Sequence, residues 1–288
     1  MKNPKLLTEI HKKLTLKGWE KLQSKRGLKV IELLGAGMLV TEVNEQHIEH
    51  LVETLQERGL QGSTINRYLA ALSKMLSHAH KRHAIYHMER MPFIEWEDEN
   101  EGRDRYLMPE EEQEIIRLMT DWDLTDYLEL YLFLIDSGMR LGEALSFKKS
   151  NVDEHFVVHL KGAQTKNGHR RSIPLTKRAV SIVNPLLSNI ERGDTVFGHL
   201  NYWRAENIWR KLRKAMDLQD DKDFVIHCLR HTCATRLAQS GKIELHLIGD
   251  MLGHRSWVMI KRYAHLIPSN LRGAIAVLDN HNELSANG

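Results

Sequence analysis

A run of like charge, Glu95 to Glu101 (EWEDENE), does most to limit what this chain can fold into. Like charges extend a chain, and Asn100 and Gly102 disfavour regular structure, so residues 96–104 read as a linker. On that reading residues 1–95 form a small helical domain and residues 105–288 a second, larger one. A chain of 288 residues is long enough to bury two cores.

Apolar residues on the first side of the linker recur at helical spacing. Ile48, Leu51, Val52 and Leu55 predict a helix from Glu45 to Arg58, stopped at Gly59. The next starts at a Ser63-Thr64 cap and buries Ile65, Leu69, Leu72, Leu76 and Ala79. Its other face carries Asn66, Arg67, Lys74, His78, Lys81 and Arg82, groups able to bond bases or phosphates, and a solvated outer face is the equal alternative. The segment before Gly37 has helical content broken by Gly18, Gly27 and Gly35.

Beyond the linker, Met108-Pro109 followed by three glutamates opens a helix, and Thr125 caps an apolar one that ends at Ser137-Gly138. Arg140-Leu141-Gly142-Glu143 begins another. The β-branched and aromatic run Val152–Leu160, an Asn167-Gly168 pair and then Arg171–Leu175 predict a hairpin, with Pro174 confining its strand to an edge or an end. Further helices are expected from a Thr176 cap to Ile190 and over Asn201–Met216, with Trp203, Ile208, Trp209 and Leu212 as apolar candidates. Others follow over Cys228–Ser240, Leu245–Leu252, Trp257–Tyr263 and Ser269–Leu278, with a frayed tail over Asp279–Gly288. The fold class is therefore mainly α with a small antiparallel β element.

Composition excludes some functions. Hydrophobic content of 42% with 27% charged residues suits a globular protein, no apolar run approaches a bilayer span, and the N-terminus lacks a signal-type apolar region, so a cytoplasmic location is expected. Cys228 and Cys233 are the only cysteines and read as reduced packing residues, and the 17 scattered histidines show no metal-ligand spacing, so no metal is expected. A net charge of +3 names no partner, but its distribution does more. No acidic residue falls between Glu154 and Glu191, where Lys161, Lys166, Arg170, Arg171, Lys177 and Arg178 lie, or between Asp250 and Asp279, around Arg255, Lys261, Arg262 and Arg272. Such patches can track a phosphate backbone.

Reactive side chains concentrate between His227 and Tyr263, with His227, Arg230, His231, His254, Arg255, Arg262 and Tyr263 within one stretch. These are donors and cations suited to a phosphate, together with a phenol that could attack one. Arg140 and Arg230 could grip the non-bridging oxygens with fixed forks, where a phosphodiester transition state gathers charge. His227 and His254 could donate hydrogen bonds or move protons, and Tyr263 would be a nucleophile once nearby cations favour its phenolate.

Five elements in order carry a resemblance: SGMRLGEAL around Arg140, TKNGHRRSIPL around Lys166, HCLRHTCATRLAQSG around His227 and Arg230, LGH at His254, and RYAHL at Tyr263. In these the chain resembles the tyrosine recombinase (phage integrase) family over roughly residues 103–268, and TINRYLAALSKML from Thr64 resembles the family's helical, SAM-like core-DNA-binding domain. The resemblance implies a site-specific DNA recombinase that works through a 3′-phosphotyrosine, with Arg140, Lys166, His227, Arg230, His254 and Tyr263 catalytic, Lys166 the general acid and Glu143 in support. Asn66, Arg67, Lys74, Arg170 and Arg171 are the candidate DNA contacts. It implies no cofactor, because the phosphotyrosine keeps the energy of the broken linkage.

Its implied partners are double-stranded DNA with inverted core half-sites, other copies of the chain as a dimer on a site and a tetramer in synapsis, and accessory DNA-bending proteins. Integration or excision of a phage or mobile element is the favoured role. A chromosome-dimer resolvase, a relaxing enzyme of topoisomerase type and a catalytically inactive DNA-binding relative are the alternatives. Many phage integrases also carry an arm-binding domain; with few residues before the core-binding helices, the expectation is either a simpler recombinase or a shortened chain.

Overall fold

The structure is a computed structural model that describes residues 6–16, 18–98, 105–162, 170–253, 260–261 and 263–266. The chain forms two compact units, Met1–Gly102 and Arg103–Gly288.

Among the described residues, four helices and a short turn of helix make up the first unit: α1 (Leu7–Leu16), α2 (Lys21–Leu34), α3 (Glu45–Glu57), α4 (Gly62–His80) and α5 (His83–Tyr86). Their apolar stripes meet in one core that includes Leu7, Ile10, Val30, Ile31, Leu51, Leu55, Leu69, Leu72 and Leu76. Asn44 caps α3 by accepting from the His47 N–H. Gly27 does not break a helix as expected. It lies inside α2, where a side chain would meet the Trp19 ring at 2.7 Å, so the glycine serves close packing.

The expected Ser63-Thr64 cap is also displaced, because α4 begins at Gly62 with Gln61 in the cap position. Any side chain at Gly62 would overlap the backbone of Asp98. The start of the charged run therefore lies on α4. Asn66 fixes it there: the side-chain amide donates to the Glu97 carbonyl at 2.8 Å, and its oxygen accepts from the Glu97 N–H at 2.9 Å.

Among the described residues, the second unit holds α6 (Pro109–Asp121), α7 (Thr125–Ser137), α8 (Leu141–Ser146), α9 (Lys177–Ser188), α10 (Tyr202–Ala215), α11 (Cys228–Gln239) and α12 (Leu245–Leu252) together with a two-stranded antiparallel sheet. That sheet is β1 (Val157–Leu160) and β2 (Arg171–Pro174), paired from Val157↔Pro174 to Leu160↔Arg171, which puts Pro174 at a strand end. Helix α11 packs on α7 and α12 and is buried along Cys228–Thr235, so it lacks the one-sided pattern of a surface helix. Thr232 joins it to the domain entrance by accepting from the Leu107 N–H at 2.9 Å.

Thr176 caps α9 by accepting from the Ala179 N–H. In α10 the buried face is Ala205, Ile208, Trp209 and Leu212, and Trp203, an expected core residue, is 73% exposed because it falls on the opposite side of the helix. The helices expected over 257–263 and 269–278 lie mostly or wholly outside the described residues, as do the tail and the Asn167-Gly168 turn. Among the described residues no helix is long and apolar enough to cross a membrane.

Candidate active site

Two helix ends create the centre of the site. Helix α7 stops at Gly138 (φ +61°) and α12 at Gly253 (φ +71°), left-handed positions that suit glycine. A side chain on Gly138 would meet Leu252 at 2.6 Å, so the two helix ends are in contact. Their carbonyls converge on Arg230. Its Nη1 donates to the Gly138 carbonyl at 2.7 Å and its Nη2 to the Leu252 carbonyl.

Helix C-termini carry partial negative charge, which suits a guanidinium in that place. Arg230 is only 2% exposed. Burial first, then the charges of Arg140 and Arg171, push it down to about 9, so it stays a cation at neutral pH. Three arginines thus share one region, and Glu143 is the carboxylate that binds two of them.

Glu143 lies one turn into α8. It accepts from the Arg140 backbone N–H and from Arg140 Nη1, each at 2.9 Å, and from Arg171 Nη2 at 2.6 Å. Burial alone would raise its carboxyl, but the hydrogen bonds from Arg171 and from the Arg140 backbone, with both charges, hold it below the usual carboxylate range. Arg140 keeps partial exposure and, with Met139, Glu143, Tyr202, His227 and Arg230, lines a cleft of about 440 Å³.

His227 is the exposed residue at the N-terminal end of α11, and its ring meets the His231 ring edge-on with centroids 5.0 Å apart. The Tyr263 hydroxyl is 2.8 Å from His231 Nδ1, and Tyr263 is 4% exposed in an apolar cluster with Ala234, Ala238, Ile248 and Leu252. Gly249 makes room for this: a side chain there would meet Ile260 at 2.6 Å, so Ile260 lies directly on α12. A helical turn from Ala264 to Leu266 follows the tyrosine.

Arg140, Glu143, His227, Arg230 and Tyr263 therefore come from distant segments into one region. Lys166, His254, Arg255 and Arg262 lie outside the described residues. Two expected DNA contacts are corrected. Arg171 faces inward, because strand alternation sets it on the face of Ile173 and leaves its neighbour Arg170 exposed, and it is buried against Glu143. Asn66 is buried and engaged with Glu97. Arg67 and Lys74 remain exposed on α4, the latter 5.7 Å from the centre of the Trp19 ring.

The first acid-free patch is also less basic in space than in sequence, since Arg178 bonds Asp136 and Glu112 from other helices. Two residues acquire a place that their sequence positions did not give them. Arg171 could have been recognised from strand parity, whereas the contact of His231 with Tyr263 had no local signal. Cys228 and Cys233 are unpaired and buried, and burial pushes the Cys233 thiol up to about 12, so neither is a ready nucleophile.

The phage integrase family model matches residues 105–269, more than half of the chain. The chain belongs to that family. A shufflon-specific DNA recombinase of Escherichia coli is 31% identical over 209 residues, covering 71% of this chain and 51% of the relative. The chain spans about half the length of the first curated relatives it matches.

Among solved structures, the Tn1549 transposon integrase in complex with a circular intermediate DNA aligns with a TM-score of 0.70 at 15% identity, covering 96% of this chain and 99% of that one. A λ integrase tetramer bound to a Holliday junction aligns with a TM-score of 0.69 at 15% identity, covering 91% and 78%. At that identity the likeness concerns the fold.

Proposed function

We propose that this protein is a site-specific DNA recombinase that cleaves and rejoins duplex DNA through a 3′-phosphotyrosine on Tyr263. One observation carries the reading: Arg140, His227 and Arg230 line a single cleft, and the Tyr263 hydroxyl lies one imidazole away from it. A phosphodiester in that cleft would meet two guanidiniums, and a guanidinium offers five N–H donors, of which the two backbone carbonyls on Arg230 take two.

The Tyr263 oxygen would attack phosphorus as its phenolic proton passes to a base at the site or to solvent, forming the P–O bond of the phosphotyrosine while the bond from phosphorus to the 5′-oxygen breaks. The leaving oxygen takes a proton, from Lys166 as the family resemblance implies, and departs as a 5′-hydroxyl. Attack by a 5′-hydroxyl from another strand reverses these steps and completes exchange. Charge on the non-bridging oxygens is greatest in the transition state, which is where fixed arginines contribute most.

The substrate is double-stranded DNA with inverted core half-sites, bound by a dimer per site and a tetramer in synapsis, with accessory bending proteins where the site needs them. The names of the relatives and the λ integrase tetramer on a Holliday junction support this assignment. So do the exposed Arg67 and Lys74 of α4 and Arg170 beside β2, which are suited to phosphate. The proposed role is integration or excision of a phage or mobile element, in the cytoplasm of a bacterial host.

The test presents two target sites with distinguishable flanks. Exchanged flanks are expected with the native chain and none with Tyr263→Phe. Relaxation of supercoils with flanks unchanged would replace the recombinase by a relaxing enzyme, and site binding without cleavage would leave a DNA-binding relative.

A further inference from the structure

His231 follows Arg230 directly in α11, yet the cleft chemistry above gives it no task. It is 8% exposed, and its Nδ1 lies 2.8 Å from the Tyr263 hydroxyl across 32 residues of sequence, so the bond is tertiary. On its other side the ring meets His227 edge-on, and His227 lines the cleft. The order in space is cleft, His227, His231, tyrosine hydroxyl.

Both partners of the His231–Tyr263 bond are held by the fold. His231 is held by α11, a helix buried against α7 and α12. The tyrosine ring is set in the cluster of Ala234, Ala238, Ile248 and Leu252, beside the contact of Ile260 with α12 at Gly249. A phenol seated among apolar side chains needs a polar partner for its hydroxyl, and His231 provides one.

We propose that His231 is a positioning residue for Tyr263, holding the hydroxyl of the nucleophile through Nδ1 within the same protomer, one imidazole behind the phosphate cleft; this rests on the recombinase reading above. The bond removes rotational freedom from the tyrosine and fixes where its oxygen starts. It also commits each Tyr263 to the site of its own chain.

The experiment measures covalent adduct formation on a suicide half-site, alongside non-covalent binding of the same DNA. Native protein forms the adduct. His231→Ala binds the DNA unchanged and forms adduct more slowly by about 10- to 100-fold, the scale expected when a reacting group is misplaced. His231→Asn, whose side-chain oxygen or nitrogen falls near the Nδ1 position, recovers most of the rate. His231→Gln, which reaches instead toward Nε2, does not.

A purely structural role would follow ring volume and would favour the longer Gln over Asn. Mixing His231→Ala with Tyr263→Phe should restore nothing, because neither chain carries both partners of the bond. Native rate in His231→Ala, rescue by Gln and not by Asn, or more adduct in the mixed sample than His231→Ala forms alone would each overturn the proposal while leaving the recombinase reading intact. Absence of any adduct with the native chain would remove the recombinase reading and this assignment together.

Discussion

Single residues in this protein are decided by parity and burial more than by type. Arg170 and Arg171 look alike in sequence, but the register of β2 turns one outward and buries the other against Glu143. Glu143 was legible as an acid one turn after Arg140, and its bonds to Arg171 were not, because they join positions 28 residues apart. Removing one partner of a buried ion pair leaves an uncompensated charge, so Glu143→Gln should lower stability at neutral pH by about 3 kcal/mol. The Glu143 carboxyl is held below its unfolded value, so its contribution is complete above about pH 4.3 and is lost as pH falls through the lowered folded value. Urea denaturation at pH 7 and in the acid range should therefore show the native chain losing more stability on acidification than Glu143→Gln. Equal losses would mean that the carboxylate does not bind the arginines in solution.

At the scale of elements, amphipathic helices were legible because their apolar spacing follows the helix turn, as α3 and α4 show. Long-range packing was not. Gly27 reads as a breaker until Trp19 is seen against it, and Trp203 reads as core until the buried face of α10 is traced. Helix α4 shows both outcomes, since its outward residues divide into Asn66, which clasps Glu97, and Arg67, which faces solvent. These differ in what they should do to binding. Arg67→Ala is expected to weaken half-site binding and to reduce the dependence of log affinity on log salt by about one unit, the signature of one lost phosphate contact. Asn66→Ala should lower the stability of the first unit by about 1–3 kcal/mol, the cost of two lost buried hydrogen bonds, with the salt slope unchanged. Fluorescence anisotropy over a salt series and thermal melting measure the two effects, and a changed salt slope in Asn66→Ala would return that residue to the DNA surface.

Over the whole molecule, the chain divides into two compact units, Met1–Gly102 and Arg103–Gly288, and the family match falls in the second. The order Arg140, His227, Arg230, Tyr263 was readable because the proposed chemistry would call for those side chains wherever the backbone places them. How they are held was not readable. Arg230 depends on carbonyls at the ends of α7 and α12, and Tyr263 depends on His231, contacts that only the packed helices create. The central claim is that Tyr263 becomes linked to DNA at a 3′-phosphate. Protease digestion of an adduct trapped on a suicide half-site, followed by tandem mass spectrometry, tests it most directly. The expected result is a nucleotide attached through its 3′-phosphate to the peptide containing Tyr263, with a free 5′-hydroxyl on the released strand; attachment at another residue, or through a 5′-phosphate, would contradict the account.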